Sequence, residues 1–264
     1  MKLKNKKILL IKLGGSVITD KSTPYTARID VIRRLARELK NIKNTSLVLS
    51  HGSGSFGHIS AQKYGGKKGY KSAWGVAKVA RDAMEINRIV MDILIEEGLS
   101  AVSLRPMSMM VASAGKLQKD LFEIVELTIN QGLIPVVYGD VIWDKEWKST
   151  IYSGETTLNK IGIFLSKKGY NVSEIIQVGQ TDGVYDLDRK TVPLINKNNW
   201  DKIKGCLFES KRADVTGGME HKVESALKIA KSGINTFLIN GERANDLSKA
   251  ISGKQVQGTL IKNN

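Results

Sequence analysis

Cysteine is almost absent: Cys206 is the single one among 264 residues. A lone thiol forms no internal disulfide and builds no cysteine-only metal site, and its ordinary place is as a small buried or half-exposed apolar residue. Long apolar runs are missing too, and none approaches the ~20 residues that cross a bilayer. The opening "MKLKNKKILLIKLGG" has the basic start and apolar centre of a secretory leader, but "ILLI" is too short and no small-residue cleavage site follows. It reads as a basic lead-in to a first strand, and a cytoplasmic location is expected. Aromatic residues are only 6%, too few to suggest a platform for stacking bases. Acidic residues are short as well: 26 Asp and Glu face 41 Lys and Arg, a formal charge of +15. That excess attracts anions, whether nucleic acid or ATP and small phosphorylated substrates. The basic residues are scattered through "KNKK", "GGKKGYK", "SKKGY" and "NKNNWDKIKG" rather than gathered in one tail, so neither a nucleic-acid nor a membrane partner is expected.

The remaining composition, 41% hydrophobic and 25% charged, is that of a soluble globular chain long enough to bury a large core. Strand signals recur at "KILLIKLGG", "SLVLSHGSGSFGH", "SAVSLRP", "LIPVVYGDVIWD", "EIIQVGQTDGVYD" and "INTFLING". Between them lie helical patterns. "RIDVIRRLARELKNIK" spaces Ile29, Ile32, Leu35, Ala36 and Leu39 on one face, and "AWGVAKVARDAMEINRIVMDILIEEG" is a long helix stopped by Gly98. "QKDLFEIVELTINQG", "TLNKIGIFLSKKG", "GGMEHKVESALKIAKSG" and "ANDLSKAIS" complete the set. Alternating strands and helices predict a three-layer α/β/α sandwich around a mainly parallel sheet. No repeat, low-complexity stretch or linker interrupts it, so one continuous sheet is expected. Ligands bind such sheets at the carboxyl ends of strands. Here those exits read "GGS", "HGSGSFGH", "YGD", "QTDG" and "NGER".

Glycines after a strand let backbone N–H groups approach an anion, although they also make ordinary tight turns. "KLGGSVITDK" adds Lys12 and Lys21 on either side of one such turn. Neither it nor "HGSGSFGH" reads G-x-x-x-x-G-K-[ST], and G-x-G-x-x-G does not occur at residues 12 to 21. Two lysines and loop amides suit a transferring phosphoryl group, whose chemistry asks mainly for positioning and charge neutralisation. His58 lies in the second turn, while His51 at its start is expected to pack or hydrogen-bond locally. In "DVTGGMEHKVESAL", Asp214 or Thr216 is a candidate helix cap, and Lys222 falls in the early helix, where it reaches a nucleotide phosphate or solvent.

"IKLGGSVITDK", "SHGSGSFGHI", "VVYGDV", "YSGE", "DGVYD" and "DVTGGMEHKVES" occur in an order that resembles the amino-acid kinase superfamily, and within it the isopentenyl phosphate kinase branch. The resemblance runs from about residue 8 to "GT" at 258 to 259. It implies the amino-acid kinase fold and transfer of a phosphoryl group from ATP to isopentenyl phosphate, in the alternative mevalonate route to isoprenoids. It implies an acceptor-binding lobe over 1–170, a nucleotide-binding lobe over 171–264, Mg²⁺ bridging the ATP phosphates with no protein metal ligand, and a homodimer. Carried over by residue, Lys12, Gly14, Gly15 and Ser16 resemble the nucleotide phosphate loop, and Lys21 the transition-state stabiliser. Gly54, Asp182, Gly218 and Lys222 resemble further nucleotide positions. Ser53, Gly54, Gly139 and Gly154 fall at acceptor positions, and His58 resembles the ligand of the acceptor phosphate. Asp140 and Glu155 would orient lysines or waters. Three departures stand out: Ser53 where the family has glycine, "SGET" with Glu155 for "SGDD", and Gly179-Gln180 for Thr and Asp.

A phosphomonoester, with a second pKa of ~6, needs no base at neutral pH; it needs its repulsion from the γ-phosphate cancelled. Lys12, Lys21, His58 and loop amides meet that demand. For the organic end, Ala83, Ile86, Val90 and Leu94 share a helical face, and Met107, Met109, Met110 and Val111 follow later. These are candidate pocket walls, with Ile86 and Val90 foremost, or simply core. Fosfomycin kinase, with its phosphonate acceptor, is the alternative activity, and a non-catalytic nucleotide or nucleic-acid binder of the same fold is the second.

Overall fold

Alternation along the first strand sets the layers. In β1 (Lys7–Leu13), Leu9, Ile11 and Leu13 face one side and Ile8 and Leu10 the other, and all five are buried. A strand buried on both faces belongs in the middle of a parallel sheet. The computed structural model describes residues 7–40, 42, 45–66, 68–205 and 218–264. After β1 come α1 (Gly15–Ile18), α2 (Ile29–Lys40), β2 (Thr45–His51), α3 (Gly54–Tyr64), a hairpin of β3 (Gly65–Gly66) and β4 (Gly69–Tyr70), and α4 (Ala73–Glu96). Then follow β5 (Ala101–Ser103), α5 (Pro106–Met109), β6 (Met110–Ser113), β7 (Lys116–Asp120), α6 (Glu123–Asn130), β8 (Ile134–Tyr138), β9 (Asp140–Asp144) and β10 (Lys148–Tyr152). The chain continues through α7 (Gly154–Lys167), β11 (Glu174–Gly179), β12 (Leu194–Ile195), α8 (Trp200–Lys204), α9 (Gly218–Ala230), β13 (Asn235–Asn240), α10 (Asp246–Ile251) and β14 (Gly258–Ile261).

Eight strands form one sheet in the order β12-β14-β13-β11-β1-β2-β8-β5, parallel except where β14 runs against β13. On one face Leu35 and Leu39 of α2, Ile86, Val90 and Leu94 of α4, and Leu247 of α10 pack on Leu9, Ile11, Leu49 and Ile176. On the other, Val125 and Ile129 of α6 and Leu158, Ile161 and Leu165 of α7 pack on Ile8, Leu10, Val48 and Ile175. Each such side chain withdrawn from water contributes about 1.5–3 kcal/mol. The result is the expected three-layer α/β/α sandwich.

Two predicted elements differ. "LIPVVYGDVIWD" is not one strand: β8 ends at Tyr138, and beyond Gly139 the chain enters a second sheet of order β10-β9-β6-β7. Its apolar run is continuous because both sheets are buried there, so periodicity alone misses the break. "QKDLFEIVELTINQG" also divides, with Lys116–Asp120 pairing antiparallel to β6 as β7 before α6 begins at Glu123.

Candidate active site

The turns after the central strands are bound to one another through their backbones. Gly14 N–H donates to Val178 O (2.8 Å), Gly52 N–H to Leu13 O (3.0 Å) and Gly139 N–H to His51 O (3.0 Å). A Cβ added to Gly15 would lie 2.6 Å from Gly54 N, and one on Gly52 would lie 2.7 Å from Gly15 N. The two glycine turns are therefore packed back to back, with no room for any side chain between them. Thr19 locks them: its Oγ1 donates to Gly15 O (2.7 Å) and accepts from Ser55 N–H (3.0 Å). Gly54 sits at φ +49°, and a Cβ on it would collide with that hydroxyl. A Cβ on Gly154, at the start of α7, would lie 2.5 Å from His51 O and 3.2 Å from Gly139 N. Ser50 Oγ donates to Gly154 O (2.8 Å). The exits of β1, β2 and β8 and the start of α7 thus form one contiguous backbone floor.

Charge is set on this floor by strand phase. Lys12 shares the β1 face of Ile8 and Leu10, which α7 covers, so it meets Glu155 in the first turn of that helix, Nζ to Oε2 3.8 Å. Both side chains are mostly buried. Asp140, at the start of β9, is buried and pushed up to about 6 by that burial, opposed by the neighbouring Arg105. Arg105 Nε lies 3.3 Å from Asp140 Oδ2, and Val141 N–H donates to Oδ1 (2.8 Å). Asp140 is thus braced by Arg105, which the sequence did not single out; its signal was an arginine at the strand exit "SLRP". His51 behaves as expected. Its Nδ1 pairs with Gly52 O (3.0 Å), its Nε2 with Asn87 Nδ2 (3.0 Å), and the ring stacks on Tyr138 at 5.5 Å. Burial pushes it down to about 4, so it is a neutral strut.

The other sequence candidates fall around this floor. Ser16 lies in α1 beside Gly15. Ser53 immediately precedes α3, and its side chain fills the space a Cβ on Gly57 would need. His58, half-buried, lies about one helical turn beyond Gly54, at the same end of the sheet as Lys12. Lys21 is exposed on the turn between α1 and α2. α9 packs on β13 and leads into it through a short turn, so Gly218 and Lys222 stand at the carboxyl end of the sheet. Asp214, Thr216 and Cys206 lie outside the described residues. Asp182 is held by protein donors: Asn240 Nδ2 and Arg243 each donate to it at 2.8 Å. It also borders an open hollow of about 610 Å³ lined by Tyr185, Lys190, Thr191 and Gln257 among others. Gln180 donates to Glu242 (3.3 Å), whose carboxylate is chelated by Arg28. Ile86 and Val90 are buried in the same apolar cluster as Leu13, Val17, Ile18 and Phe56, which flank the glycine turns. A second apolar group, next to Asp140 through Val141, is Val79, Ala80 and Val141, with Val76, Tyr70 and Met107 against it.

The model of the amino acid kinase family matches residues 7–240. The chain belongs to the amino acid kinase family. Two curated members are similar over almost their whole length. The isopentenyl phosphate kinase of Thermoplasma acidophilum is 35% identical, over 97% of this chain and 100% of that one. The isopentenyl phosphate kinase of Methanocaldococcus jannaschii is 34% identical, over 96% and 98%. A solved isopentenyl phosphate kinase structure superposes with a TM-score of 0.81 at 28% identity, covering 97% of this amino acid kinase and 100% of that chain.

Proposed function

We infer that this chain transfers the γ-phosphoryl group of ATP to isopentenyl phosphate, giving isopentenyl diphosphate and ADP. The observation that carries this is the back-to-back pair of glycine turns beside Lys12, in a chain similar end to end to isopentenyl phosphate kinases. Between two polyanions the obstacle is repulsion, and the donor set answers it. Because no Cβ intervenes, the turns around Gly14–Gly15 and Ser53–Gly54 pack directly on each other. To their backbone N–H groups, apart from that of Gly14 which Val178 O takes, we assign the role of donors to phosphate oxygens. Lys12, oriented by Glu155, offsets charge between donor and acceptor. Lys21 takes up charge on the transferring group, and His58 holds the acceptor phosphate. The acceptor attacks as an already ionised phosphate oxygen, so no residue serves as general base.

Residues 1–170 are read as the acceptor lobe and 171–264 as the nucleotide lobe, with Gly218 and Lys222 on the phosphates and the hollow beside Asp182 toward the nucleoside. Among the described residues no three His, Cys, Asp or Glu side chains cluster so as to hold a metal ion. Mg²⁺, brought with ATP, would supply charge neutralisation at the phosphates. The working unit is a homodimer. The isoprenoid tail lies against Val76, Val79, Ala80 and Met107, whose apolar surface favours a C5 chain over the polar epoxide of fosfomycin.

An ADP-release assay across isopentenyl phosphate, dimethylallyl phosphate, geranyl phosphate, fosfomycin, uridylate and acetylglutamate tests the assignment. Fastest turnover with a C5 phosphate is expected. Fosfomycin turning over faster would replace it, and no turnover with salt-dependent nucleic-acid binding would remove catalysis altogether.

A further inference from the structure

We propose that Tyr25 is a positioning residue for phosphoryl transfer, latching the turn that carries Lys21 onto the buried carboxylate of Asp82 in α4. The inference rests on Lys21 acting at the transferring phosphoryl group, as proposed above. The turn is closed at its base: Thr19 bridges Ala27, Asp20 N–H donates to Thr26 O (2.9 Å), and Arg28 N–H donates to Ile18 O (2.9 Å). Its tip is folded by Asp20, whose Oδ1 accepts from Ser22 N–H (2.8 Å) and Ser22 Oγ (2.6 Å) on the far side of Lys21. These contacts shape the turn, and Thr19 Oγ1 ties its base to Gly15 and Ser55, but none of them ties its tip to the rest of the site.

Tyr25 supplies that tie. Its hydroxyl donates to Asp82 Oδ2 (3.0 Å) across 57 residues of sequence. Its ring meets Phe56 edge-on at 5.7 Å, two residues before His58 on α3, and Lys78 Nζ lies 5.0 Å from the ring centroid. Asp82 is fully buried, and Lys78 Nζ sits 2.5 and 2.7 Å from its two oxygens, with Arg81 at 3.5 Å. Lys78 and Arg81 come from the same helix as Asp82, so Tyr25 is what joins this charged cluster to the Lys21 turn. Tyr25 also holds φ +55°, a region a bulky side chain rarely adopts. Such strain persists where surrounding contacts over-determine it, and it gathers at functional sites. Tyr25 thereby adds to the Thr19 link a second one, relating the tip of the Lys21 turn to the helix of His58 and to α4. Phosphoryl transfer is sensitive to displacements of about 1 Å in that relation.

The test is a double-mutant cycle on the full chain with Tyr25→Phe and Lys21→Ala. Y25F keeps the ring on Phe56 and removes only the hydroxyl. It is expected to lower kcat about 10-fold, with KM for ATP within about 2-fold and a melting temperature lower by a few degrees, the protein staying folded at the assay temperature. In the K21A background Y25F should cost less than about 2-fold, because the group it positions is gone. Wild-type kcat in Y25F, or the same fold loss with and without Lys21, would overturn the latch. K21A turning over at the wild-type rate would instead show that Lys21 has no part in the chemistry, and the latch would fall with it.

Discussion

Replacing Gly15 by Ala puts a methyl carbon 2.6 Å from Gly54 N and 2.8 Å from Gly54 Cα, where ordinary contact begins at 3.4 Å. The turns must therefore part by about 0.8 Å, in an interior packed as densely as an organic crystal. Both obstacles are backbone, so no flexible side chain can yield. Gly14 is tied to Val178 and Gly52 to Leu13, which passes the displacement into the strand ends. Overpacking of this kind costs about 1–3 kcal/mol. For a domain of this size each kcal/mol lowers Tm by about 2–4 °C. The kinetic effect is larger than the thermal one, since misplacing reacting groups by about 1 Å costs on the order of 100-fold. The measurement is steady-state ADP release with isopentenyl phosphate, alongside a thermal melt. G15A is expected to lose about 100-fold in kcat/KM while remaining folded at 25 °C. Gly205→Ala is the control: an added Cβ there meets nothing within 4 Å among the described residues, and activity should be unchanged. A G15A enzyme as fast as wild type would refute the back-to-back turns as the phosphate floor.

Lys21→Ala should lower kcat more than it raises KM, and a pure KM effect would remove it from the transition state. His58→Ala should slow transfer sharply while calorimetry shows ATP binding near normal; wild-type turnover would take His58 out of the site. Asp140 is pushed up from 3.8 to about 6, so the folded state holds its proton more tightly than the unfolded chain. Its contribution is full below pH 3.8 and is lost as pH rises to 6, by up to about 3 kcal/mol. In urea melts from pH 4 to 7 the D140N variant should lack that decline, and a parallel decline in both proteins would refute it. His51, pushed down from 6.5 to about 4, runs the other way: its contribution is present above pH 6.5 and lost as pH falls toward 4. His51→Gln should flatten that acid limb, and an unchanged limb would mean the imidazole is not buried neutral.

Lys12 was legible because a lysine ending a doubly buried strand has few places to go. The strand phase that puts it on the Ile8–Leu10 face also carries it to Glu155. The glycines were legible as turns, but their mutual contact was not: Gly15 and Gly54 are brought together by strand order, which no local pattern encodes. Ile86 and Val90 show the converse limit. A helical apolar stripe does not say which part of it faces a ligand: α4 puts Ile86 and Val90 in the main apolar cluster and Val79 and Ala80 in a separate one with Val141, a division that strand order sets and the stripe does not encode. Arg105, Asn87 and the Tyr25–Asp82 pair escaped because each acts through a partner far along the chain. The break at Gly139 was hidden by burial on both sides of it.

The central claim is that cationic side chains and amide hydrogens from separate turns hold two anions end to end for direct transfer. Phosphorus NMR of the chain with ATP and isopentenyl phosphate reads this out. Loss of the monoester signal in step with the ATP γ-signal, with a new pair of coupled diphosphate signals beside those of ADP, is the expected result. Inorganic phosphate accumulating while the monoester persists would contradict it.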